Sequence, residues 1–213
     1  MDPDAAWRTI DAERVRLADL LTQLTDAEWR KPSLCAGWTV RDVAAHLTLA
    51  HIRMPAVIVG LARARGNLGV MIRDTARRHA AAPTEQIIEE LRAMVGSRRH
   101  VPGITPMEPL IDVLVHGQDI AVPLGRAHPM PMGAAAAGAT RICTNNSIHR
   151  ARRKLDGFRL TATDTSWSAG EGRTVEGPID ALLLTLTGRT VSADRLSGPG
   201  AGDFTARLAQ IPT

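Results

Sequence analysis

The stretch LIDVLVH, residues 110–116, sets a carboxylate and an imidazole four residues apart inside an otherwise apolar run. On a helix, positions i and i+4 project from one face, so Asp112 and His116 can reach a common point. One carboxylate and one imidazole leave a divalent cation short of ligands, so a third donor has to come from another element. His46 in RDVAAHLTLA is the natural donor, because it sits beside the apolar stripe of Val43 and Leu47 on a different predicted helix. His46, Asp112 and His116 form a His-carboxylate-His set, the three-ligand pattern of catalytic zinc with one position left open. An open position can take water and lower its pKa, or take a thiol and hold it as a thiolate. Spacing alone leaves a plainer alternative standing: an i,i+4 polar pair satisfied within a core, and a structural histidine elsewhere.

The neighbours of this trio divide into supporting and peripheral residues. Gln118 and Asp119 follow on the same helix, and either can bond His116 and fix its tautomer; a surface charge is the competing reading for Asp119. His51, five residues after His46, points elsewhere, and His79, His100, His128 and His149 lie in Arg- or Pro-rich surroundings that predict solvated side chains. Cys35 falls in a loop with no evident paired base, which speaks against a cysteine nucleophile. GPGAG at 198–202 shares only composition with a phosphate loop, since its spacing fits neither the P-loop nor the dinucleotide pattern. The basic run RARRK, residues 150–154, reads as the last turn of a helix, where positive charge complements the dipole. No Gly-x-Ser-x-Gly stretch is present.

Four long helices have to position the trio. The first spans about Asp4 to Leu24, with Ile10, Leu17, Leu20, Leu21 and Leu24 at helical spacing. KPSLCAGW breaks the pattern. Thr39 then caps the second helix, Asp42 completes an approximate capping box, and Val40, Val43, Ala44 and Leu47 form its apolar stripe. Pro55 interrupts or kinks this helix before VIVGLARARG. Thr84 is the expected cap of the third, with Ile87, Ile88, Leu91, Met94 and Val95 as its stripe, and the fourth carries Asp112 and His116. After AHPMPMG an alanine-rich helix runs to about Arg153. Helices of similar length joined by shorter loops predict an antiparallel bundle.

The pattern changes at Asp156. FRLTATD alternates as a half-buried strand does, TSWSAG and RTVEG read as further short strands, and PIDALLLTLTGR and GDFTARLAQ as helices. The predicted fold is therefore mainly α: a helical bundle over residues 1–155, followed by a small α+β domain over 156–213.

Composition limits the partners. The chain has 213 residues, 44% apolar and 23% charged, which is the balance of an ordinary soluble protein able to bury a core. Its four Trp, two Phe and no Tyr leave the core to aliphatic residues. A formal charge of +4 does not argue for nucleic acid and suits a protein that binds small anions. Cys35 and Cys143 form no Cys-x-x-Cys pattern, so neither a disulfide framework nor a thiolate zinc knuckle is expected. MDPDAAWRTI lacks the charged and apolar regions of a signal peptide, and no apolar run approaches the roughly 18 residues of a membrane span. The expectation is a cytoplasmic protein with neither membrane nor nucleic-acid partner, its oligomeric state open.

PSLCAGWTVRDVAAHL closely resembles the second-helix signature of the actinobacterial mycothiol-dependent maleylpyruvate isomerase family, a branch of the DinB-like metal-binding bundles. LIDVLVHGQDIAVPLGR resembles that family's second signature, and the stretch from Phe158 to Arg189 is similar to the small α+β domain that follows the bundle. The resemblance implies a DinB-like four-helix bundle holding zinc or another divalent metal through His46, Asp112 and His116. The family's carboxylate is typically Glu; here it is Asp, one methylene shorter, so Asp112 must come closer to the metal or bind it differently. The implied activity is that of a mycothiol-using isomerase or S-transferase. Metal-bound thiolate would attack an electrophilic small molecule, with arginines around the mouth binding acidic groups. The physical logic is that thiolate is the nucleophile, whereas a free thiol with a pKa of about 8.5 is mostly protonated at neutral pH. Two other readings stay open: a hydrolase using zinc-bound water, with Asp119 as base, and a non-catalytic metal- or thiol-binding bundle.

Overall fold

The computed structural model describes residues 1–49, 54–100, 103–145 and 151–210. The expectations for His51, His149 and the start of the Arg150–Lys154 run lie outside the described residues. Two compact units are present, residues 2–128 and 129–213.

In the first unit, α1 (Pro3–Thr22) opens where the Asp2 side chain accepts from the Ala5 N–H, and proline takes a first-turn position at which its missing N–H costs nothing. A short α2 (Asp26–Trp29) is closed by a Thr25–Glu28 capping box. The box expected at the next helix is present in both halves: α3 (Val40–Thr48) starts with Thr39 and Asp42 bonded reciprocally. Next comes α4 (Met54–Arg63), which begins one residue before Pro55; residues 50–53 lie outside the described residues.

The sequence reading did not anticipate α5 (Leu68–His79), whose stripe is short and whose last turn holds Arg77, Arg78 and His79. Asn67 caps it by accepting from the Val70 N–H. In α6 (Thr84–Ala93), Thr84 is the first helical residue rather than the cap, because Pro83 already supplies the extended entry. Val95 lies beyond the end of α6 and is exposed, unlike the rest of its predicted stripe. The last long helix is α7 (Met107–Ala121), ended by a 3₁₀ turn over Val122–Leu124.

Both α1 and α3 pack against α6 and α7, which makes these four helices the bundle, and α5 lies on α3. Leu17, Leu21, Val43, Ala44, Leu47, Ile87, Leu91 and Ile120 form its buried core. Each fully buried large aliphatic side chain contributes about 1.5–3 kcal/mol, so α3 and α7 are anchored on both sides of their polar residues.

The second unit holds α8 (Met132–Thr144), α9 (Ala151–Leu155), β1 (Phe158–Ala162), β2 (Ser168–Gly170), β3 (Arg173–Gly177), α10 (Ile179–Leu186) and α11 (Ala201–Ala209). Its sheet has the order β2-β1-β3, with β1 antiparallel to β2 and parallel to β3. The boundary read near residue 155 and the division at 128/129 differ by α8 and α9. The small residues Ala134, Ala135, Gly138 and Ala139 of α8 are buried, and the helix packs against the apolar α10 of this unit. The architecture is mainly α with a small α+β part. No helix of the described residues is long and apolar enough to cross a membrane.

Candidate metal centre

The loop between α2 and α3 sets α3 against α7. Ser33 closes it by bonding the Trp38 carbonyl, and Gly37 takes a φ of +74° that a larger residue adopts only with strain. The loop reaches α7 twice at one residue: the Leu34 N–H donates to the Asp119 carbonyl at 3.2 Å, and the Cys35 thiol to the Asp119 carboxylate at 3.1 Å. With α3 registered this way, its His46 faces the middle of α7.

There the three expected residues come together. His46 Nε2 and His116 Nε2 each lie 3.4 Å from Asp112 Oδ1, and the two imidazole rings meet edge to face at 4.9 Å. One donor atom from each residue lies within 4.8 Å of the others. Four-coordinate zinc with bonds of about 2.0–2.2 Å sets neighbouring donors about 3.3–3.6 Å apart, so the separations at Asp112 match such a shell. They are long for hydrogen bonds.

Asp119 completes the arrangement from behind. Its side chain is 0% exposed, and Oδ2 accepts from His116 Nδ1 at 2.7 Å. That bond puts the ring hydrogen on Nδ1 and turns the Nε2 lone pair toward Asp112. Of the two readings for Asp119, the supporting residue holds and the surface charge does not. Cys35 and Asp119 also form a second potential donor group with His116. That group would need the Nδ1 edge, which already carries the short bond to Asp119. The side chain of Trp38 flanks His46 edge to face at 5.4 Å.

The charges suit a cation. Burial works to raise the Asp112 carboxyl, but the His46 and His116 imidazoles outweigh it and hold the group well below the usual carboxylate range. Burial works to lower His116, and the Asp112 charge, with bonds to Asp112, Asp119 and Cys35, raises it well above the ordinary imidazole value. The centre therefore keeps an anionic oxygen between two imidazole nitrogens.

His46 and Asp112 line one side of a cavity of about 360 Å³. Its other walls include Val57 of α4, Leu68, Met71, Ile72 and Thr75 of α5, His100 and Ile104 before α7, and Pro109 in its first turn. The expectation of arginines at the mouth is not met among the described lining residues; the charged wall residue beside Asp112 is Glu108.

Several residues differ from their sequence reading. Cys35 is no isolated loop cysteine: its sulfur lies 3.7 Å from His116 Nδ1 as well as on Asp119, a contact across 81 residues that local pattern does not reveal. Three histidines expected as solvated have partners. His79 pairs with Glu90, and His100 stacks on Trp7 at 5.8 Å and lines the cavity. His128 is buried with its Nε2 3.1 Å from Glu13. Gly117 makes room for that last ring, since a Cβ there would sit 3.0 Å from His128 Nε2. The cavity walls on α5 were also missed; the Asn67 cap and the spacing of Leu68, Met71 and Ile72 are the signal that could have found them.

Residues 10–102 match the family model described as the mycothiol maleylpyruvate isomerase N-terminal domain. This span contains His46 and precedes Asp112 and His116. No curated protein gives a significant sequence match. Among solved structures, a histidine-to-alanine mutant of the mycothiol-dependent maleylpyruvate isomerase superposes with a TM-score of 0.67 at 13% identity, over 94% of each chain. Another crystal structure of the mycothiol-dependent maleylpyruvate isomerase gives 0.61 at 13% identity and the same coverage. These likenesses show a shared fold along nearly the whole chain. The family likeness thus covers residues 10–102, and the fold likeness nearly the whole chain.

Proposed function

We propose that His46, Asp112 and His116 hold a zinc ion, and that the chain is a cytoplasmic, mycothiol-dependent isomerase or S-transferase acting on an electrophilic small molecule. The observation that carries this reading is the donor triangle, with both 3.4 Å edges at Asp112 suited to a tetrahedral cation. The family match and the names of the structurally similar proteins support the thiol.

Zinc bound there would leave a position open for a thiol and favour its thiolate form at neutral pH. The chain's own residues do the rest. Asp119 fixes the orientation of His116, and Cys35 and Leu34 fix Asp119. Asp112 Oδ1 already lies equally close to both imidazoles, so the shorter carboxylate reaches the shared point. The cavity beside His46 and Asp112 is the space that would take the electrophile. Asp119 faces Nδ1, away from the open side, which deprives the hydrolase alternative of its proposed base.

Metal analysis after reconstitution tests the assignment. The unaltered chain is expected to carry one zinc, and His46→Ala and Asp112→Ala to lose it. Stoichiometric zinc in His46→Ala would overturn the ligand set. Calorimetric titration with mycothiol tests the thiol: binding to the zinc form with proton release is expected, and no binding at millimolar thiol sinks the mechanism.

A further inference from the structure

We infer that the hairpin of α4 and α5 docks on an anionic lipid membrane, which the chain binds at its surface without crossing it. The inference goes beyond the metal and thiol chemistry above and does not depend on it. In α4, Ile58, Val59, Ala62 and Arg63 share one exposed side of the helix. Gly60 lies on the packed side, where a Cβ would come 2.8 Å from Met71 of α5. Ile58 is 62% exposed, Val59 48% and Leu68, the first residue of α5, 56%. Single exposed aliphatic residues are ordinary on a soluble surface; these accompany a concentration of charge of one sign.

No acid occurs in the sequence between Asp42 and Asp74, and residues 54–79 hold Arg63, Arg65, Arg73, Arg77 and Arg78 against Asp74 alone. That excess of +4 equals the formal charge of the whole chain, so the other residues balance. Arg77 donates to the Gly37 carbonyl at 2.7 Å and Arg78 to the Thr75 hydroxyl at 3.1 Å, neutral acceptors that leave both charges in place. Arg73 lies 3.8 Å from Asp74. At the turn of the hairpin, Arg65 takes a φ of +50°, the one positive value at a non-glycine position among the described residues. Glycine fits that backbone more readily, so the guanidinium at the tip is kept against local preference. Exposed aliphatic groups beside arginines suit a lipid surface, with the apolar groups in the acyl boundary and the guanidiniums on headgroup phosphates. Nucleic acid would use the charge and leave the aliphatic groups in water. A two-fold contact of this face with a second copy would set like charge against like charge. The sequence expectation of no membrane partner concerns spanning segments, which a surface contact does not require.

Cosedimentation of the full-length chain with vesicles tests this. Vesicles of phosphatidylglycerol and phosphatidylcholine in roughly equal parts are expected to bind it at least about tenfold more tightly than phosphatidylcholine alone. Arg65→Gly removes one charge at a position whose backbone suits glycine, and is expected to weaken binding about fivefold. Ile58→Ser, at an exposed position, is expected to weaken it at least about threefold. Circular dichroism confirms that both variants keep the fold. Equal binding to the two vesicle types overturns the inference, as does binding unchanged in both variants or no binding to the anionic vesicles at low salt. A dimer in analytical ultracentrifugation that Ile58→Ser dissociates assigns the face to a second copy of the chain and also overturns it.

Discussion

Replacing Asp119 by Asn leaves the shape of the centre intact and removes the charge behind His116. The carboxylate is fully buried and accepts from His116 Nδ1 at 2.7 Å and from Cys35 at 3.1 Å. A hydrogen bond to a charged group contributes about 1.5–3 kcal/mol, and the Asn oxygen keeps about half of it. The remaining loss of about 0.8–1.5 kcal/mol corresponds to about 4–13-fold weaker zinc binding, which reaches the low end of the range found for the partners of ligating histidines.

The pH dependence gives the test its edge. In the metal-free chain, His116 keeps its proton above the ordinary imidazole range, so proton and cation compete for Nε2. Apparent zinc affinity therefore rises with pH, by up to about tenfold per unit, until the pH passes the His116 pKa. Asp119→Asn removes one support of that proton, so its plateau begins at lower pH and its deficit grows as pH rises. Zinc affinity is measured by competition with a chromophoric chelator from pH 6 to 9, with circular dichroism to confirm the fold. An unchanged affinity, or a deficit equal at every pH, would refute the argument that Asp119 acts through His116.

Three further outcomes are expected. Thr39→Ala removes the side-chain half of the α3 capping box, in which the Thr39 hydroxyl accepts from the Asp42 N–H. It should cost about 1 kcal/mol, lowering the melting temperature by about 2–4 °C in a chain of this size. Calorimetry checks it. Glu28, bonded to the Thr25 N–H and to Arg126, has its pKa lowered to about 2. Its folded value lies below its unfolded one, so its stabilisation is complete above about 4.5 and is lost as pH falls through about 2; a carboxyl NMR titration that places Glu28 near the ordinary value contradicts the capping geometry. Gly60→Ala brings a methyl 2.8 Å from Cγ of Met71, a residue of the cavity wall, and forces that side chain to shift. Overpacking of about 1–3 kcal/mol is offset by about 1 kcal/mol of helix propensity. The fold should survive with a net loss of at most about 2 kcal/mol, which thermal melting followed by circular dichroism checks.

Local pattern carries much of this protein. The spacing of Asp112 and His116, the stripe beside His46 and the Thr39–Asp42 box all follow from helix geometry, which repeats over a few residues and can be read along the chain. The alternation of Phe158–Ala162 is legible for the same reason. The pattern could not choose between a satisfied polar pair and a shared donor site. That difference lies in the separation of His46 from Asp112, two residues 66 positions apart. Nor could it place Cys35, whose contact with Asp119 depends on how one loop folds onto the far end of α7. The cavity depends likewise on α5 meeting α3, and α8 joins the second unit because its small residues let α10 approach. Such features arise from packing between distant segments, where shape and burial rather than neighbouring residues set which groups meet. Residue type and spacing named the candidate donors; folding supplied the short bond behind His116 and the apolar wall in front of Asp112.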